Sequence, residues 1–172
     1  DQPGPEVLNG ATLQREAPPL ETLFILQGSL FPNAVEALLE LEADGWTGMA
    51  CLSIRCMNPF PEDALIPWLN AAERIVVMDR SNSFGSVPPL ASRVFTTFGR
   101  IASRDPQGGV KPLRTLVGGL GGREVTVEQM KEILLSIRER FGQTEKALSD
   151  GDEDRVAALC QEIDGLCDQA RE

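Results

Sequence analysis

The chain contains no histidine, which removes the residue that most often serves as a catalytic base or a metal ligand. Ser81 and Ser83 therefore have no histidine to activate them as nucleophiles. The four cysteines do not replace it, because their spacing lacks the two-residue separation that is typical of zinc ligands. The sequence thus predicts no catalytic residues and no metal site in this chain.

Clustered basic residues and long apolar runs are also missing. The 172-residue chain has a net charge of -10, which argues against nucleic-acid and anionic-membrane partners, because both require clustered Lys and Arg. No apolar run approaches the roughly 20 residues of a membrane span. The first residues also lack the basic region and apolar core of a signal peptide.

The cysteines are predicted to be reduced. Cys51 and Cys56 are predicted on one extended strand, about 16 Å apart, and Cys160 and Cys167 on one helix, about 10 Å apart. A disulfide requires Cα atoms within about 7 Å, so neither local pair can close. Four free thiols predict a cytoplasmic protein.

Short apolar segments alternate with amphipathic ones along most of the chain. Helix signals include Asn33 as an N-cap, Gly45 as a C-terminal stop, and a capping box of Thr126 and Gln129 before a helix that stops at Gly142. Pro67 predicts a kink or a break in its helix. The predicted strands are 23–26, 49–54, 75–78 and 113–117, and the helices begin near residues 33, 62, 90 and 127.

Alternating strands and helices of this kind predict a three-layer α/β fold, in which helices cover both faces of a mostly parallel sheet. Residues 1–21, rich in Pro and Gly, are predicted to be a linker or N-terminal arm, and residues 22–148 the α/β domain. Residues 149–172 are predicted to form a C-terminal amphipathic helix. Ligands of such sheets usually bind beyond the carboxyl ends of the strands.

Three groups of residues at these strand ends have alternative interpretations. Gly28 and Ser29 could bind an anion at a helix start, although a plain strand-to-helix turn explains them equally well. Asp79 and Arg80 could form a binding pair, but a structural salt bridge or a subunit contact is favoured. The glycines at 118–122 do not match the spaced phosphate-binding fingerprint, and a flexible connection explains them better.

Taken in order, these motifs resemble the second core domain of pyruvate:ferredoxin oxidoreductase and related 2-oxoacid oxidoreductases, which is similar to the carboxy-terminal domain of transketolase. The resemblance covers about residues 21–137. It rests on four segments in the same order, namely Gln27-Gly28-Ser29, Arg55 to Pro61, Val77 to Ser81 with Ser83-Phe84-Gly85, and Gly118 to Thr126. The stretch Ser86-Val87-Pro88-Pro89 departs from the Gly-rich sequence expected after Gly85.

The resemblance implies a non-catalytic interface domain of a larger enzyme, which oxidatively decarboxylates a 2-oxoacid with coenzyme A and passes electrons to ferredoxin or flavodoxin. Thiamine diphosphate, Mg and iron–sulfur clusters are expected in other domains or subunits, with none bound by this chain. A homo-oligomer is also compatible with the resemblance. The candidate interface or ligand-proximal residues are Gly28, Ser29, Arg55, Pro59, Phe60, Asp79, Arg80, Ser83, Phe84, Gly85, Gly119 and Gly121.

Two other hypotheses are compatible with the sequence. The chain could belong to another transketolase-like enzyme that does not use ferredoxin, or it could be a stand-alone binding or regulatory module with the same fold. On the interface hypothesis, replacing Phe60 or Asp79 is expected to weaken assembly more than it weakens folding.

Overall fold

A central β-sheet with four helices organises the part of the chain that the computed structural model describes, which is residues 6–9, 12–13, 17, 19–104, 111–151, 154–155 and 158. The elements in chain order are β1 (Glu6–Asn9), β2 (Thr12–Leu13), β3 (Leu20–Leu26), α1 (Leu30–Ala43), β4 (Met49–Ser53), α2 (Glu62–Ala71), β5 (Ala72–Asp79), α3 (Pro89–Arg104), β6 (Leu113–Val117) and α4 (Val127–Asp150). A short 3₁₀ turn, Leu120–Gly122, separates β6 from α4.

The six strands form one sheet in the order β2-β1-β4-β3-β5-β6. The four strands β4, β3, β5 and β6 are parallel, and β1 joins the outer side of β4 in the antiparallel sense. The chain leaves β3 for β4 on one side and then crosses to β5 on the other side of β3. The carboxyl ends of β3 and β5 therefore form the switch point at which ligands of such sheets bind.

Helices cover both faces of the sheet, so the predicted three-layer arrangement is confirmed. Phe24 and Leu26 of β3 face α1 and α4, whereas Leu23 and Ile25 face α2 and α3. Successive side chains of a strand point to opposite faces, which is why one continuous apolar strand serves both cores. All four side chains are at most 2% exposed.

The first helix begins earlier than the sequence predicted. Asn33 was predicted as the N-cap, but α1 starts at Leu30 and Ser29 occupies the cap position. Pro32 is compatible with this start because the first helical turn needs no donor from its backbone nitrogens. The predicted stop at Gly45 is confirmed, since Gly45 has φ +90 and the backbone N–H of Trp46 donates to the carbonyl oxygen of Leu41 over 2.9 Å. That bond is the long bond of a Schellman motif.

Two further helix predictions differ from the structure. Helix α2 continues through Pro67, so the predicted break is wrong, whereas the alternative of a kink stays a prediction. Buried Trp68 and Leu69 pack on the inner side of this helix. Helix α4 does not stop at Gly142 but continues to Asp150. Thr144 is buried beyond that glycine, and tertiary packing of this kind overrides the helix-breaking tendency of a single exposed glycine.

The predicted N-terminal linker or arm contains two strands. Glu6, Val7 and Leu8 of β1 pair with Ser53, Leu52 and Cys51 of β4, so the described part of residues 1–21 extends the sheet. Local patterns did not predict this pairing, because it joins residues more than forty positions apart. Most of the predicted C-terminal helix, including Cys160 and Cys167, lies outside the described residues.

Within the described part of the chain, no helix combines the length and the apolar composition that a membrane span requires.

Candidate functional site

The carboxyl ends of β3, β5 and β6 bring three predicted segments together at one edge of the sheet. Ser29 follows β3, Arg80 follows β5, and Gly119 follows β6. Since these strands are parallel neighbours, the three loops after them lie side by side. Arg80 connects all three, as its hydrogen bonds show.

The Arg80 guanidinium acts as a clamp between the loops. Its Nε and Nη2 groups donate to the carbonyl oxygen of Gly119 at 3.3 and 3.2 Å, and Nη2 also donates to the carbonyl oxygen of Arg123 at 3.0 Å. The Nη1 group donates to the hydroxyl of Ser29. These bonds use most of the five donors of a guanidinium, so the residue holds the shape of this edge.

Asp79 lies beside this clamp but has a different role. Its side chain is fully buried, and one carboxylate oxygen accepts a 2.8 Å hydrogen bond from the backbone N–H of Leu90 in the first turn of α3. The other oxygen accepts from the backbone N–H of Ser81 at 3.2 Å. A carboxylate at a helix N-terminus is favoured by the helix dipole. Asp79 therefore anchors α3 within the chain, which departs from the predicted partner contact and from a salt bridge with Arg80.

The glycines after β6 form a closely packed turn at their start. Gly118 and Gly119 are both buried. A Cβ atom on Gly118 would lie 2.5 Å from the Cε atom of Met78, and one on Gly119 would lie 2.9 Å from the carbonyl oxygen of Arg123. Gly119 also has φ +70, a backbone conformation that residues other than glycine rarely adopt. These two glycines thus allow the loop to approach Arg80. Gly121 is exposed and has open space around it.

A cavity of about 340 Å³ opens beside the clamp, between the start of α1 and the loop after β6. Its lining includes predicted residues Ser29 and Arg80, together with Asn33 and Glu124. The Asn33 amide donates to the carbonyl oxygen of Val125 over 2.6 Å, which closes one wall. Asn33 and Glu124 were not predicted to be site residues. Their place next to the Gly-Ser and Gly-rich segments was the available signal.

The segment after Arg80 projects from this edge as a turn. The backbone N–H of Ser86 donates to the carbonyl oxygen of Ser83 at 3.1 Å, and Gly85 has φ +72. Phe84 at the tip is 100% exposed, and Val87 is 41% exposed. A fully exposed phenylalanine loses the stabilisation that burial would give, about 1.5–3 kcal/mol, so this turn is suited to contact another surface.

The predicted residues after β4 do not line this cavity. Arg55 and Pro59 are exposed, while Phe60 is partly buried and packs against the core between the sheet and α2 and α3. The Asn58–Pro59 peptide bond is cis. Phe60 thus contributes to the fold of this chain, in addition to any contact that its exposed part makes.

The two described cysteines do not form a reactive pair. Cys51 lies in β4, but Cys56 lies beyond the end of that strand, so the prediction of one shared strand is wrong. Burial raises the pKa of the Cys51 thiol to about 12, so it stays protonated and unreactive at neutral pH. Among the described residues, no three His, Cys, Asp or Glu side chains are grouped so that they could hold a metal ion.

Comparison with known proteins identifies the family. The profile described as pyruvate:ferredoxin oxidoreductase core domain II matches residues 21–130, which is most of the chain. The chain belongs to this family. The matched range includes all three loops that Arg80 connects, and it ends in the first turn of α4.

Two curated relatives of this core domain II chain are subunits of oxidoreductases. The pyruvate synthase subunit PorA of Thermotoga maritima is 30% identical over 112 residues, which is 65% of this chain and 27% of the relative. The ketoisovalerate oxidoreductase subunit VorA of Pyrococcus horikoshii is 30% identical over 112 residues, or 64% of this chain and 26% of the relative. The chain therefore spans about a quarter of the length of these relatives.

Solved structures with a similar backbone have lower sequence identity. One is a 2-oxoglutarate:ferredoxin oxidoreductase from Magnetococcus marinus with 2-oxoglutarate, coenzyme A and succinyl-CoA bound. It is 17% identical, with a TM-score of 0.49, and the match covers 80% of this chain and 20% of that one.

Proposed function

We propose that this chain is a non-catalytic interface domain of a thiamine-diphosphate-dependent 2-oxoacid:ferredoxin oxidoreductase in the cytoplasm. The observation that carries the proposal is the exposed Phe84 turn, which lies at the switch-point edge of a domain in the core domain II family. Relatives of this chain are subunits of pyruvate and ketoisovalerate oxidoreductases. The edge thus packs against the thiamine-binding domains and holds them in place.

The polar groups at this edge support an interface role more than a catalytic one. Arg80 and Asp79 use their hydrogen-bonding groups within the chain. The Ser29 hydroxyl accepts a bond from Arg80, and a guanidinium cannot take a proton from it. The cavity beside them offers a shaped surface next to these residues.

The described residues of this chain do not offer the ligands of an iron–sulfur cluster. An iron–sulfur cluster requires several thiolates, whereas the described cysteines are Cys51, which is buried, and Cys56. On this proposal, thiamine diphosphate, Mg and the clusters are bound by other domains or subunits, where the 2-oxoacid and coenzyme A react.

Native mass spectrometry of the endogenous protein, purified without oxygen, tests this proposal. We expect a large assembly that contains thiamine diphosphate and iron and that reduces an artificial electron acceptor when a 2-oxoacid is added. A lone chain, or a homo-oligomer with no cofactor, would overturn the proposal and favour a stand-alone binding module. An assembly with thiamine diphosphate but without iron would favour another transketolase-like enzyme.

The Phe84 turn is tested by replacing Phe84 with Ala in that assembly. Because Phe84 is fully exposed, the stability of the chain should change by no more than about 0.5 kcal/mol. A central interface side chain is worth 2 kcal/mol or more, so the apparent dissociation constant of the assembly should rise roughly 30-fold. Leu39→Ala, which alters an exposed apolar side chain on α1, is the control. Equal effects of the two replacements would contradict an interface at Phe84.

A further inference from the structure

Helix α3 carries an unusual charge for this chain. Its only charged residues are Arg93, Arg100 and Arg104, although the chain as a whole has a net charge of -10. The helix contains no Asp or Glu that could neutralise these arginines locally. Positive charge is therefore concentrated on one helix of an acidic molecule.

The three arginines lie on one side of the exposed face of α3. Their separations of seven and four residues place them along a single stripe of a helix, and all three are exposed. Arg100 forms an ion pair with Glu62 of α2. Within residues 19–104 and 111–151, no ion pair is described for Arg93 or Arg104, so these two carry charge that the described chain does not use.

The rest of this exposed face carries no charged side chain. Phe95, on the opposite margin from the arginines, is 40% exposed. Between them, the hydroxyl of Thr96 donates to the carbonyl oxygen of Ser92 at 2.9 Å, and that of Ser103 donates to the carbonyl oxygen of Arg100 at 2.9 Å. These two exposed hydroxyls donate to the backbone of their own helix.

Gly99 in the middle of this face has no role within the described fold. An exposed glycine inside a helix lowers stability by about 0.5–1 kcal/mol relative to alanine, and a Cβ atom at Gly99 would have nothing within 4 Å. The described part of the chain thus leaves room for a larger side chain at this position.

We propose that the outer face of α3 is a second interaction surface, which binds a carboxylate-bearing surface of another domain or subunit. Arg93 and Arg104 pair with carboxylates of that surface along one margin of the face, and Phe95 packs against an apolar side chain of it at the opposite margin. Arginine and aromatic residues are the types most enriched where protein interfaces are strongest. This inference rests on the proposed function, because it requires the chain to work inside an assembly.

A protein partner matches this surface better than a polyanion does. Nucleic acids and anionic membranes bind to extended basic surfaces, and the overall charge of -10 on this chain repels them. Specific carboxylates can pair with individual arginines at short range, and an apolar residue can cover Phe95.

Two matched pairs of variants in the purified native assembly test this inference. Arg93→Glu is compared with Lys146→Glu, which makes the same charge change on exposed Lys146 of α4. Gly99→Leu is compared with Gly142→Leu, since a Cβ atom at either glycine meets no atom within 4 Å. Both leucine variants should fold, because leucine favours helix over glycine by up to about 1 kcal/mol.

We expect Arg93→Glu to raise the apparent dissociation constant about tenfold near 0.15 M salt, with a smaller effect near 0.5 M because salt screens exposed charges. Mass photometry of diluted assembly measures this constant. Gly99→Leu should weaken association at both salt concentrations because it obstructs close approach. The dissociation constants of the two α4 variants should stay within about twofold of the wild-type value, because substitutions outside the energetic centre of an interface have little effect on binding.

A photocrosslinker identifies the partner directly. With p-benzoyl-phenylalanine in place of Phe95, crosslinked peptides from an Asp- or Glu-containing segment of another domain or subunit would support the inference. An intact wild-type assembly in which both α3 variants behave like their controls would overturn this inference and leave the proposed function standing. A wild-type chain that purifies alone would overturn both.

Discussion

At the scale of single residues, Asp79 and Arg80 show how neighbours in sequence take different roles. Asp79 ends β5 with its side chain turned inward, where it binds the start of α3. Arg80 faces the other way and binds the loops after β3 and β6. A strand alternates the direction of its side chains, so this division follows from their adjacent positions. The sequence located both residues at a strand end, but it could not reveal their partners, which lie far away in the chain.

Replacing Asp79 with Asn should destabilise the folded chain, contrary to the expectation that assembly is affected more. The amide keeps the size of the side chain, but its NH2 group replaces one of the two oxygens that accept backbone N–H bonds. We expect a loss of about 1–3 kcal/mol, the typical cost of leaving buried polar groups unsatisfied. Urea unfolding measures it as a lower midpoint with an unchanged slope. Asp63→Asn, which changes an exposed residue of α2, is the control, and an equally small effect of Asp79→Asn would contradict the anchoring role.

At the scale of elements, the features that depend on nearby residues were predicted well, and the features that depend on distant residues were not. The bounds of β6 and the stop at Gly45 agree with the structure because they depend on residues close in sequence. The strand β1 and the extension of α4 past Gly142 depend on pairing and packing with distant residues, so local patterns did not reveal them. At the candidate site, the strand-end segments could be predicted, whereas the Arg80 clamp and the cavity wall at Asn33 could not.

The capping box at the start of α4 gives a test at this scale. The backbone N–H of Gln129 donates to the Thr126 hydroxyl at 3.3 Å, and the Gln129 side-chain oxygen accepts from the backbone N–H of Thr126 at 3.1 Å. We expect Thr126→Ala to cost about 1 kcal/mol of stability. Because the two bonds support each other, combining it with Gln129→Ala should cost less than the sum of the single changes.

Thermal or urea unfolding of the four variants in this cycle measures the coupling. Glu132→Ala, at an exposed position one turn further along α4, controls for the general effect of alanine on this helix. Strictly additive losses would show that the two side chains act independently and that the reciprocal arrangement does not stabilise α4.

At the scale of the whole molecule, one carboxylate joins distant elements at the edge opposite the candidate site. Glu21 of β3 accepts hydrogen bonds from Arg74 of β5 at 2.8 Å and from Arg138 of α4 at 3.0 and 2.6 Å. Arg138 also lies over the ring of Trp46, 5.0 Å from its centre. Desolvation by burial acts to raise the pKa of Glu21, but the hydrogen bonds from Arg138 and Arg74 outweigh it, so the pKa lies below its ordinary value of 4.5.

This lowered pKa predicts how stability changes in acid. The folded state holds the Glu21 proton more weakly than the unfolded state does, so ionised Glu21 stabilises the fold above the ordinary pKa. That contribution is lost as the pH falls through the lower pKa of the folded state. At neutral pH, Glu21→Gln should be about 1–3 kcal/mol less stable than the wild type, because it weakens bonds to charged partners.

Unfolding measured between neutral pH and pH 3 should show that this difference narrows below pH 4.5, the ordinary value for this carboxyl. Glu36→Gln, on the exposed side of α1, controls for the removal of one negative charge. A difference that stays constant down to pH 3 would show that the ionisation of Glu21 does not contribute to the stability of the fold.

The place of α4 in the core has a consequence for synthesis on the ribosome. Phe24 of the central strand and Phe141 of α4 belong to the same buried cluster, although 117 residues separate them. A nascent chain that has reached β6 can form the four parallel strands, yet it still exposes the sheet face that α4 later covers. The sheet face that α4 covers therefore stays open on a nascent chain until α4 has emerged from the exit tunnel.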